Sequence, residues 1–555
     1  MRWRKYAIGA LVVVLVLAGT AFALRKQVIL YLVATVARNQ TLVGPHQEIV
    51  WARGPETAAL PIDRRPPNIV VILADDLGIN DISFFGGGVA GGLVPTPQID
   101  SLAREGVTFD AGYAGNATCA PSRAAILTGR YPTRFGFEFT PTPKGMDRIL
   151  DLFYNDGTRP HELLFDPKTS EKQPDFRDQG MPGSEITIAE LLQPRGYHTM
   201  HIGKWHLGSS AAFAPNAQGF DETVMMESGL YLPGDDPQVV NAKLPFDPID
   251  QFLWARMQYA TSYNGGKLFE PKGYLTDFYT DEAVKAIEAN RNRPFFLYLA
   301  HWGVHSPLQA SKADYDALSE IKDHRLRVYA AMVRALDRSV GRVLQALDDN
   351  GLSENTLVIF TSDNGGAGYI GLPEVNQPYR GWKLTFFEGG IRAPFFVKWP
   401  GRIAPGTRNA SPVAHIDILP TIAFASGAAL PTDRAIDGVN LLPFVDGTGT
   451  SGQPHEALFW RSGYYQAVRA NGWKLQVSDN PRKAWLFDLS TDPTEQVNLA
   501  DQRPEKVAEL RALLTEHNAK QAKPLYPASG QMPVLVDKTL EDVGTAEDEY
   551  IYWPG

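Results

Sequence analysis

Two short apolar runs restrict most strongly what this chain can fold into. They cover residues 68–74 and 356–362, and they lack the polar and apolar alternation of a half-exposed strand. Such runs are typical of strands that are buried on both faces of a parallel sheet. Asp75-Asp76 follows the first run directly, and Asp363-Asn364 follows the second. Because open α/β sheets bind ligands beyond the carboxyl ends of their strands, these four residues are candidates for a site.

The rest of the chain predicts an α/β protein, with a mainly parallel central sheet flanked by helices and a smaller C-terminal antiparallel subdomain. Further strands are expected at 198–203, 295–300 and 392–399, and helices at 97–105, 187–192, 278–289, 326–348 and 417–425. This alternation of strands and helices favours helices packed on the faces of a parallel sheet. From about residue 452 short alternating runs follow, at 457–460, 465–469, 474–477 and 485–488, and then a helix at 505–520.

The N-terminal segment predicts that the chain is exported. Arg2, Arg4 and Lys5 precede an apolar run over residues 7–24, which is near the lower length limit for a membrane-spanning helix. The run contains Ala21-Phe22-Ala23, a pattern typical of signal-peptide cleavage sites, so a cleaved signal peptide and a retained anchor both stay open. A second apolar segment at 27–37 would extend the anchor, lie on the membrane or pack as an ordinary helix.

Charge and cysteine content exclude some classes of function. The net charge of −9 and the pI near 5.7 do not fit the basic surface of a nucleic-acid-binding protein, so no nucleic acid partner is expected. The global field also does not attract anions, so an anionic ligand would have to be held by local cations. The chain has one cysteine, which rules out an intramolecular disulfide.

That cysteine, Cys119, opens the segment Cys-Ala-Pro-Ser-Arg, which runs on to Leu-Thr-Gly-Arg at 127–130. The pattern predicts a helix that begins near Cys119, with Pro121 in its first turn and Gly129 at its end. A helix N-terminus offers free N–H groups and the positive end of the helix dipole, which suits an anion such as sulfate. Arg123 lies one turn on and can face the same site. For a lone cysteine, the alternative interpretation is a buried structural residue.

The Cys-x-Pro-Ser-Arg and Leu-Thr-Gly-Arg pair resembles the signature of the type I sulfatases of the alkaline phosphatase superfamily, most closely the arylsulfatase A/B branch. Three more motifs share the resemblance, which covers about residues 66–520: Gly-Lys-Trp-His-Leu-Gly at 203–208, His-Ser-Pro-Leu-Gln at 305–309 and Trp-Lys-Leu-Thr at 382–385. The resemblance implies an alkaline phosphatase-like fold. It also implies that a separate maturation enzyme oxidises Cys119 to formylglycine, an aldehyde whose hydrate is the nucleophile.

The same resemblance implies a role for each site residue. Asp75, Asp76, Asp363, Asn364 and residue 119 would bind a divalent cation, usually Ca²⁺ with Mg²⁺ possible, which suits their hard oxygen ligands. Lys204, Lys383 and Arg123 would bind sulfate. His305 and Lys383 would assist the leaving oxygen, Asp363 would accept the proton of the attacking hydroxyl, and His206 would deprotonate the second hydroxyl so that sulfate is eliminated.

We therefore expect a sulfuric ester hydrolase that acts on a sulfated small molecule or glycan. It would be periplasmic or anchored in the inner membrane, with its catalytic domain outside the cytoplasm. The expected segments are a signal peptide or anchor at 1–38, a linker at 39–66, the catalytic domain at 67–451, a C-terminal subdomain at 452–524 and a tail of unassigned structure at 525–555. One alternative is a formylglycine-dependent phosphonate monoester or phosphodiester hydrolase. The other is a protein that binds sulfated glycans without hydrolysing them.

Overall fold

The computed structural model describes residues 24–445 and 452–555 and, before them, isolated positions between residues 3 and 20. The pattern Ala21-Phe22-Ala23, most of the apolar run at 7–24 and the predicted boundary at residue 451 lie outside the described residues. Within the described part, no helix combines the length and the hydrophobicity needed to cross a bilayer.

A nine-stranded sheet forms the centre of the molecule. Five of its strand pairings are parallel and three, toward the two edges, are antiparallel. In spatial order its strands are Thr407–Ala414, Val107–Tyr113, Phe395–Lys398, Thr356–Ser362, Asn68–Ala74, Phe295–Ala300, His198–Gly203, Glu222–Gly229 and Tyr259–Tyr263. The expected mainly parallel sheet is confirmed.

The strand Asn68–Ala74 shows why the two apolar runs define the fold. All seven of its residues are buried. Ile69, Val71 and Leu73 belong to the core on one face of the sheet, whereas Val70 and Ile72 belong to the core on the other. Because successive side chains point to opposite faces, a strand between two helical layers buries both sets of side chains, which favours apolar residues at consecutive positions.

Helices cover both faces of this sheet. Helix His324–Asp349 is the longest in the described residues, and the predicted helical spacing of its apolar residues matches its buried face. The helices of five or more residues are Arg25–Gln40, Pro97–Glu105, Cys119–Thr128, Met146–Tyr154, Ile188–Leu192, Pro248–Arg256, Leu275–Asn290, Lys312–Asp316, His324–Asp349, Ile418–Ser426 and Pro504–Asn518.

The expected antiparallel subdomain is also confirmed. Its four strands pair in sequence order as Ala457–Ser462, Tyr465–Ala470, Trp473–Asp479 and Arg482–Asp488, and helix Pro504–Asn518 packs against them. A two-stranded ladder joins Val239–Ala242 to Leu308–Ser311.

The C-terminal tail, to which the sequence assigned no structure, forms two strands. Gly530–Leu535 pairs with Tyr550–Pro554 on one side and with Leu164–Phe165 on the other. The tail therefore folds back onto the larger domain.

Residues 39–66, predicted as a linker, lie against the catalytic domain. Trp51 is buried and its indole N–H donates to Glu282 at 2.9 Å, while the Ala52 N–H donates to Glu222. The helix before this segment, Arg25–Gln40, includes the predicted second apolar segment. It is tied to the domain by an ion pair between Lys26 and Asp156 at 3.2 Å.

Candidate active site

The candidate site lies where the two central strands end. Asn68–Ala74 and Thr356–Ser362 are parallel and in register, with Ala74 beside Ser362. The next residues, Asp75 and Asp363, are therefore neighbours, and the Asp363 N–H donates to the Ala74 carbonyl at 3.1 Å. Asp76 and Asn364 follow, and the Asn364 amide donates to Asp76 Oδ1 at 2.7 Å. All four side chains are buried.

Cys119 lies at the first position of helix Cys119–Thr128, which ends at Gly129 in the left-handed conformation, as expected. Its thiol is 2% exposed and contacts Asp75 Oδ1 at 3.6 Å and Asp76 Oδ1 at 4.0 Å. Burial and the charge of Asp363 raise the pKa of the Cys119 thiol. An unmodified cysteine is thus held here as a thiol, the weakly nucleophilic form.

Arg123 joins the two strand ends through its guanidinium, which is completely buried. Nε donates to Asp363 Oδ2 at 2.9 Å, Nη2 donates to Asp75 Oδ2 at 3.0 Å, and Nη1 donates to the Lys204 carbonyl at 2.9 Å. Burial and Asp75 raise the pKa of Asp363, and Arg123 opposes that rise. The arginine therefore compensates two carboxylates that would otherwise repel each other.

Two lysines lie on the other side of the carboxylates. Lys204 Nζ is 2.6 Å from Asp75 Oδ2 and 4.6 Å from the centre of the Trp302 ring. Lys383 Nζ donates to Asp76 Oδ1 at 2.7 Å and to Cys119 Sγ at 3.2 Å. Although burial opposes it, the charge of Asp76 raises the pKa of Lys383, so this ammonium stays charged.

His305 contacts the same cluster. Its Nε2 is 3.6 Å from Asp76 Oδ2, and its Nδ1 is 2.5 Å from the Ser306 carbonyl. Burial lowers the pKa of His305 to about 3, so the ring is neutral. A neutral ring that meets a carbonyl at Nδ1 carries its proton there, which leaves the Nε2 lone pair facing the site.

His206 follows Lys204 on the loop after strand His198–Gly203. Burial and the charges of Lys204 and Arg123 hold the pKa of His206 well below its usual value, so it is also neutral. Its Nδ1 is buried without a hydrogen-bond partner in the part of the chain that the structure describes. A neutral imidazole with a free nitrogen is able to accept a proton.

The backbone around the site is strained. Asp76, His206 and Leu384 have φ values of 58°, 62° and 73°, in the left-handed region that side-chain-bearing residues rarely adopt. Gly203 adopts a φ of 107°, and a Cβ there would lie 1.9 Å from the Ala300 carbonyl oxygen. Strain of this kind costs about 1–3 kcal/mol per residue and is concentrated at functional sites.

The donor set fits a hard divalent cation. Ligand atoms of Asp75, Asp76, Cys119 and His305 lie within 4.8 Å of one another. Asn364 Oδ1 is buried and, among the described residues, accepts no hydrogen bond. A buried amide oxygen without a donor, beside three carboxylates, is suited to Ca²⁺ or Mg²⁺, which prefer oxygen ligands.

The structure brings all ten predicted site residues to one edge of the sheet. It adds three residues that the sequence analysis did not assign to the site. The Tyr369 hydroxyl donates to Asp76 Oδ2 at 2.9 Å, and the Trp302 ring stacks on His305 at 4.0 Å. The His415 ring forms hydrogen bonds with Ser122 and with Thr361. No motif marks Tyr369 or His415, because loops distant in sequence bring them in. Trp302 follows the predicted strand at 295–300, but no motif includes it.

Three further histidines on or next to the central strands make other contacts. His201 is buried and bonds to Thr223 at 2.7 Å, whereas His198 pairs with Glu222. His301 is completely buried and bonds to Ser339 at 2.9 Å. These contacts account for the three rings as structural groups.

Comparison with known proteins gives a consistent result. A model of the sulfatase family matches residues 67–428, and a model of the C-terminal region of N-sulphoglucosamine sulphohydrolase matches residues 381–523. The chain is 31% identical over 508 residues to N-acetylgalactosamine-6-sulfatase of Homo sapiens, a match that covers 85% of this chain and 88% of that one. It is 32% identical over 496 residues to steryl-sulfatase of Homo sapiens, with 77% of each chain covered.

A solved structure agrees with these relatives. The fold is similar to the crystal structure of Ps i-CgsB in complex with k-i-k-neocarrahexaose, with a TM-score of 0.68, 30% sequence identity and coverage of 83% of this chain and 95% of that one. The match to the family model includes the strand ends, the Cys119 helix and both lysines. The chain therefore belongs to the sulfatase family.

Proposed function

We propose that this sulfatase hydrolyses a sulfate monoester with residue 119 in the formylglycine form, made from Cys119 by a separate maturation enzyme. The observation that carries the proposal is the position of this cysteine, the only one in the chain. It lies at a helix N-terminus and contacts Asp75, Asp76 and Lys383. Formylglycine would supply a hydrated aldehyde, whose hydroxyl is the nucleophile for attack on sulfur.

We assign sulfate binding to the two lysines. An ammonium group has three N–H donors, so Lys204 can keep its contact with Asp75 and still donate to a sulfate oxygen. Lys383 already donates to Asp76, Cys119 and Tyr369, so it would exchange one of these contacts for a sulfate oxygen. In a buried site such fixed charges stabilise the negative charge that develops on the transferring group. Lys383 also donates to Cys119 Sγ at 3.2 Å, a position that suits protonation of the leaving oxygen.

Arg123 would act differently from the lysines. Each of its three nitrogens already donates to a protein oxygen, and these bonds fix the guanidinium between the two strand ends. We propose that Arg123 contributes charge and positions Asp75 and Asp363. Asp363 would accept the proton of the attacking hydroxyl.

The two histidines would take part in the remaining proton transfers. His206 is neutral and would take the proton of the second hydroxyl, which releases sulfate. His305 presents its Nε2 lone pair beside Asp76, and an anion bound at the lysines would raise the pKa of His305 and let it share the leaving-group proton with Lys383.

A divalent cation completes the proposal. Asp75, Asp76, Asp363, Asn364 and residue 119 would hold it, and their charge and ligand type suit Ca²⁺. When bound, it would polarise the nucleophile and offset charge on the sulfate oxygens.

The substrate and the location are also proposals. Several similar proteins carry sugar names, among them N-acetylgalactosamine-6-sulfatase and the complex with k-i-k-neocarrahexaose, which favours a sulfated glycan over other esters. The basic residues and apolar run at the N-terminus favour export, with or without a retained anchor. Recovery of the native protein from the cytoplasmic fraction would contradict export.

Two experiments test the function. Peptide mass spectrometry across residue 119, on protein from its native source, should show formylglycine. The matured protein should then give its highest kcat/KM on a sulfate monoester, within a matched panel that includes a phosphate monoester, a phosphodiester and a phosphonate monoester. A best rate on the phosphonate or the diester would support the alternative hydrolase, and an unmodified cysteine with binding but no turnover would support the glycan-binding protein.

A further inference from the structure

A cleft beside the candidate active site has one wall built by the C-terminal tail. Residues 532–535, 538–540, 542 and 544 form this wall, and residues 154, 159–161, 368–369 and 382–384 form the rest. The space between the walls is about 620 Å³, counted out to open solvent. We call it the tail cleft.

The tail cleft and the nucleophile pocket share residues. Tyr369 and Lys383 both line the cleft. Tyr369 also donates to Asp76 at 2.9 Å, and Lys383 donates to Asp76 and to Cys119. Tyr369 and Lys383 therefore form a wall that the cleft and the nucleophile site have in common.

Ionic contacts fix the tail to the loop that carries Lys383. Arg380 pairs with Asp537 at 2.5 Å and with Glu549 at 2.6 Å, and both partners belong to the tail. The Leu540 N–H donates to the Gly368 carbonyl at 3.1 Å, next to Tyr369. The wall is thus held in a defined position relative to the site.

The lining combines apolar surface with buried polar atoms that have no partner. Pro533, Leu535 and Leu540 contribute apolar surface. In the described part of the chain, Trp382 Nε1 and His161 Nε2 make no hydrogen bond although both are buried. A group that fits such a lining has an apolar face and one or more hydroxyls, because the unpaired donor and ring nitrogen need partners.

We propose that the tail wall is a specificity-determining segment, which binds the alcohol part of the ester through an apolar face and a hydroxyl. This inference rests on the proposed function and deepens it, since it assigns the leaving group to the tail cleft. It predicts that changes in the wall alter the choice between esters while the chemistry at residue 119 continues.

The test compares two esters on variants of the full-length, matured enzyme. Leu535→Trp narrows the cleft, and Val543→Trp places the same side chain on a tail residue that is 86% exposed and does not line it. With a sulfated disaccharide, Leu535→Trp should lower kcat/KM about tenfold or more, a size typical of steric discrimination in a pocket. With 4-nitrophenyl sulfate, whose leaving group is one ring, the change should stay within about threefold. Val543→Trp should match wild type on both esters.

Equal losses on both esters, or the same loss in Val543→Trp, would overturn the inference while leaving the sulfatase proposal intact. If Leu535→Trp does not fold by circular dichroism, Leu540→Ala carries the test, since it widens the cleft and should also change the ratio between the two esters. An unchanged ratio in Leu540→Ala would overturn the inference as well. A wild-type enzyme that hydrolyses no sulfate ester would overturn the proposed function itself.

Discussion

Replacing Arg123 with methionine tests the physical basis of the site most directly. Methionine keeps much of the volume of the side chain but removes the charge and the three hydrogen bonds to protein oxygens. Asp75 and Asp363, which are both completely buried, would then lose their shared partner. Arg123→Lys keeps the charge, but one ammonium cannot reproduce the planar three-way contact with Asp75, Asp363 and the Lys204 carbonyl.

The expected magnitude follows from burial. Breaking a buried ion pair by removing one partner costs about 3–5 kcal/mol, because the remaining charge is left without compensation. Arg123→Met should therefore lose about 3–5 kcal/mol of unfolding free energy, and Arg123→Lys roughly half of that. Arg408 is a matched control, since it also pairs with an aspartate but is 58% exposed. Arg408→Met should cost less than about 1 kcal/mol.

The assay is urea unfolding followed by circular dichroism. It is run with EDTA present, so that no divalent cation compensates the carboxylates. The same samples are assayed for sulfate ester turnover with Ca²⁺ restored, where Arg123→Met should be inactive. The reasoning from buried charge is wrong if the unfolding free energy of Arg123→Met lies within about 1 kcal/mol of the wild-type value. It is also wrong if Arg123→Met loses no more unfolding free energy than Arg408→Met.

Three further predictions concern the nucleophile, the cation and pH. Cys119→Ala should lower the turnover rate by about 10⁴-fold or more, yet change the free energy of unfolding in urea by less than about 2 kcal/mol. Activity near that of wild type would exclude residue 119 as the nucleophile. Asn364→Leu removes the buried amide oxygen that accepts no hydrogen bond from the described residues. Titration calorimetry on EDTA-treated protein should then show a Ca²⁺ affinity about 10–100-fold lower than that of wild type. Equal affinities would place the cation elsewhere. Burial raises the pKa of Asp250 from 3.8 to about 8. Between these two pH values the folded state binds more protons than the unfolded state. The contribution of Asp250 to the free energy of unfolding therefore falls as pH rises through that window. Asp250→Asn should flatten this slope between about pH 5 and pH 8, and an unchanged slope would contradict the assigned shift.

The central sheet was predictable because its signal is local. The runs at 68–74 and 356–362 match strands Asn68–Ala74 and Thr356–Ser362 residue for residue. Burial on both faces favours apolar residues along the middle of each strand, and the first charged residue, Asp75 or Asp363, follows its end. The positions of Asp75, Asp76, Asp363 and Asn364 followed from the same fact.

Other elements left no such signal. Strand Val107–Tyr113 contains Thr108, Asp110 and Gly112, so its composition does not resemble that of a buried strand. The tail strand Gly530–Leu535 pairs with Leu164–Phe165, a two-residue strand that is distant in sequence. Pairing over such a separation depends on the folded domain, which brings the two segments together, and no local pattern encodes it.

The segment at 39–66 was predicted correctly as irregular backbone but incorrectly as a loose linker. Its prolines and lack of periodicity predicted a linker, and it contains only one three-residue turn of helix. It is nevertheless fixed to the domain by the buried Trp51 and by backbone contacts. Irregular backbone and loose attachment are separate properties, and sequence periodicity reports only the first.

Stability alone does not explain the charges at the site. Three carboxylates, of Asp75, Asp76 and Asp363, lie buried with three cations, of Arg123, Lys204 and Lys383. Moving each such ion out of water costs several kcal/mol, and apolar side chains of similar volume would often give an equally stable or more stable protein. The strained backbone at Asp76, His206 and Leu384 adds to that cost. Because folding gains little from this arrangement, the cluster is best understood through what it can bind: a cation on its carboxylates and an anion on its two lysines.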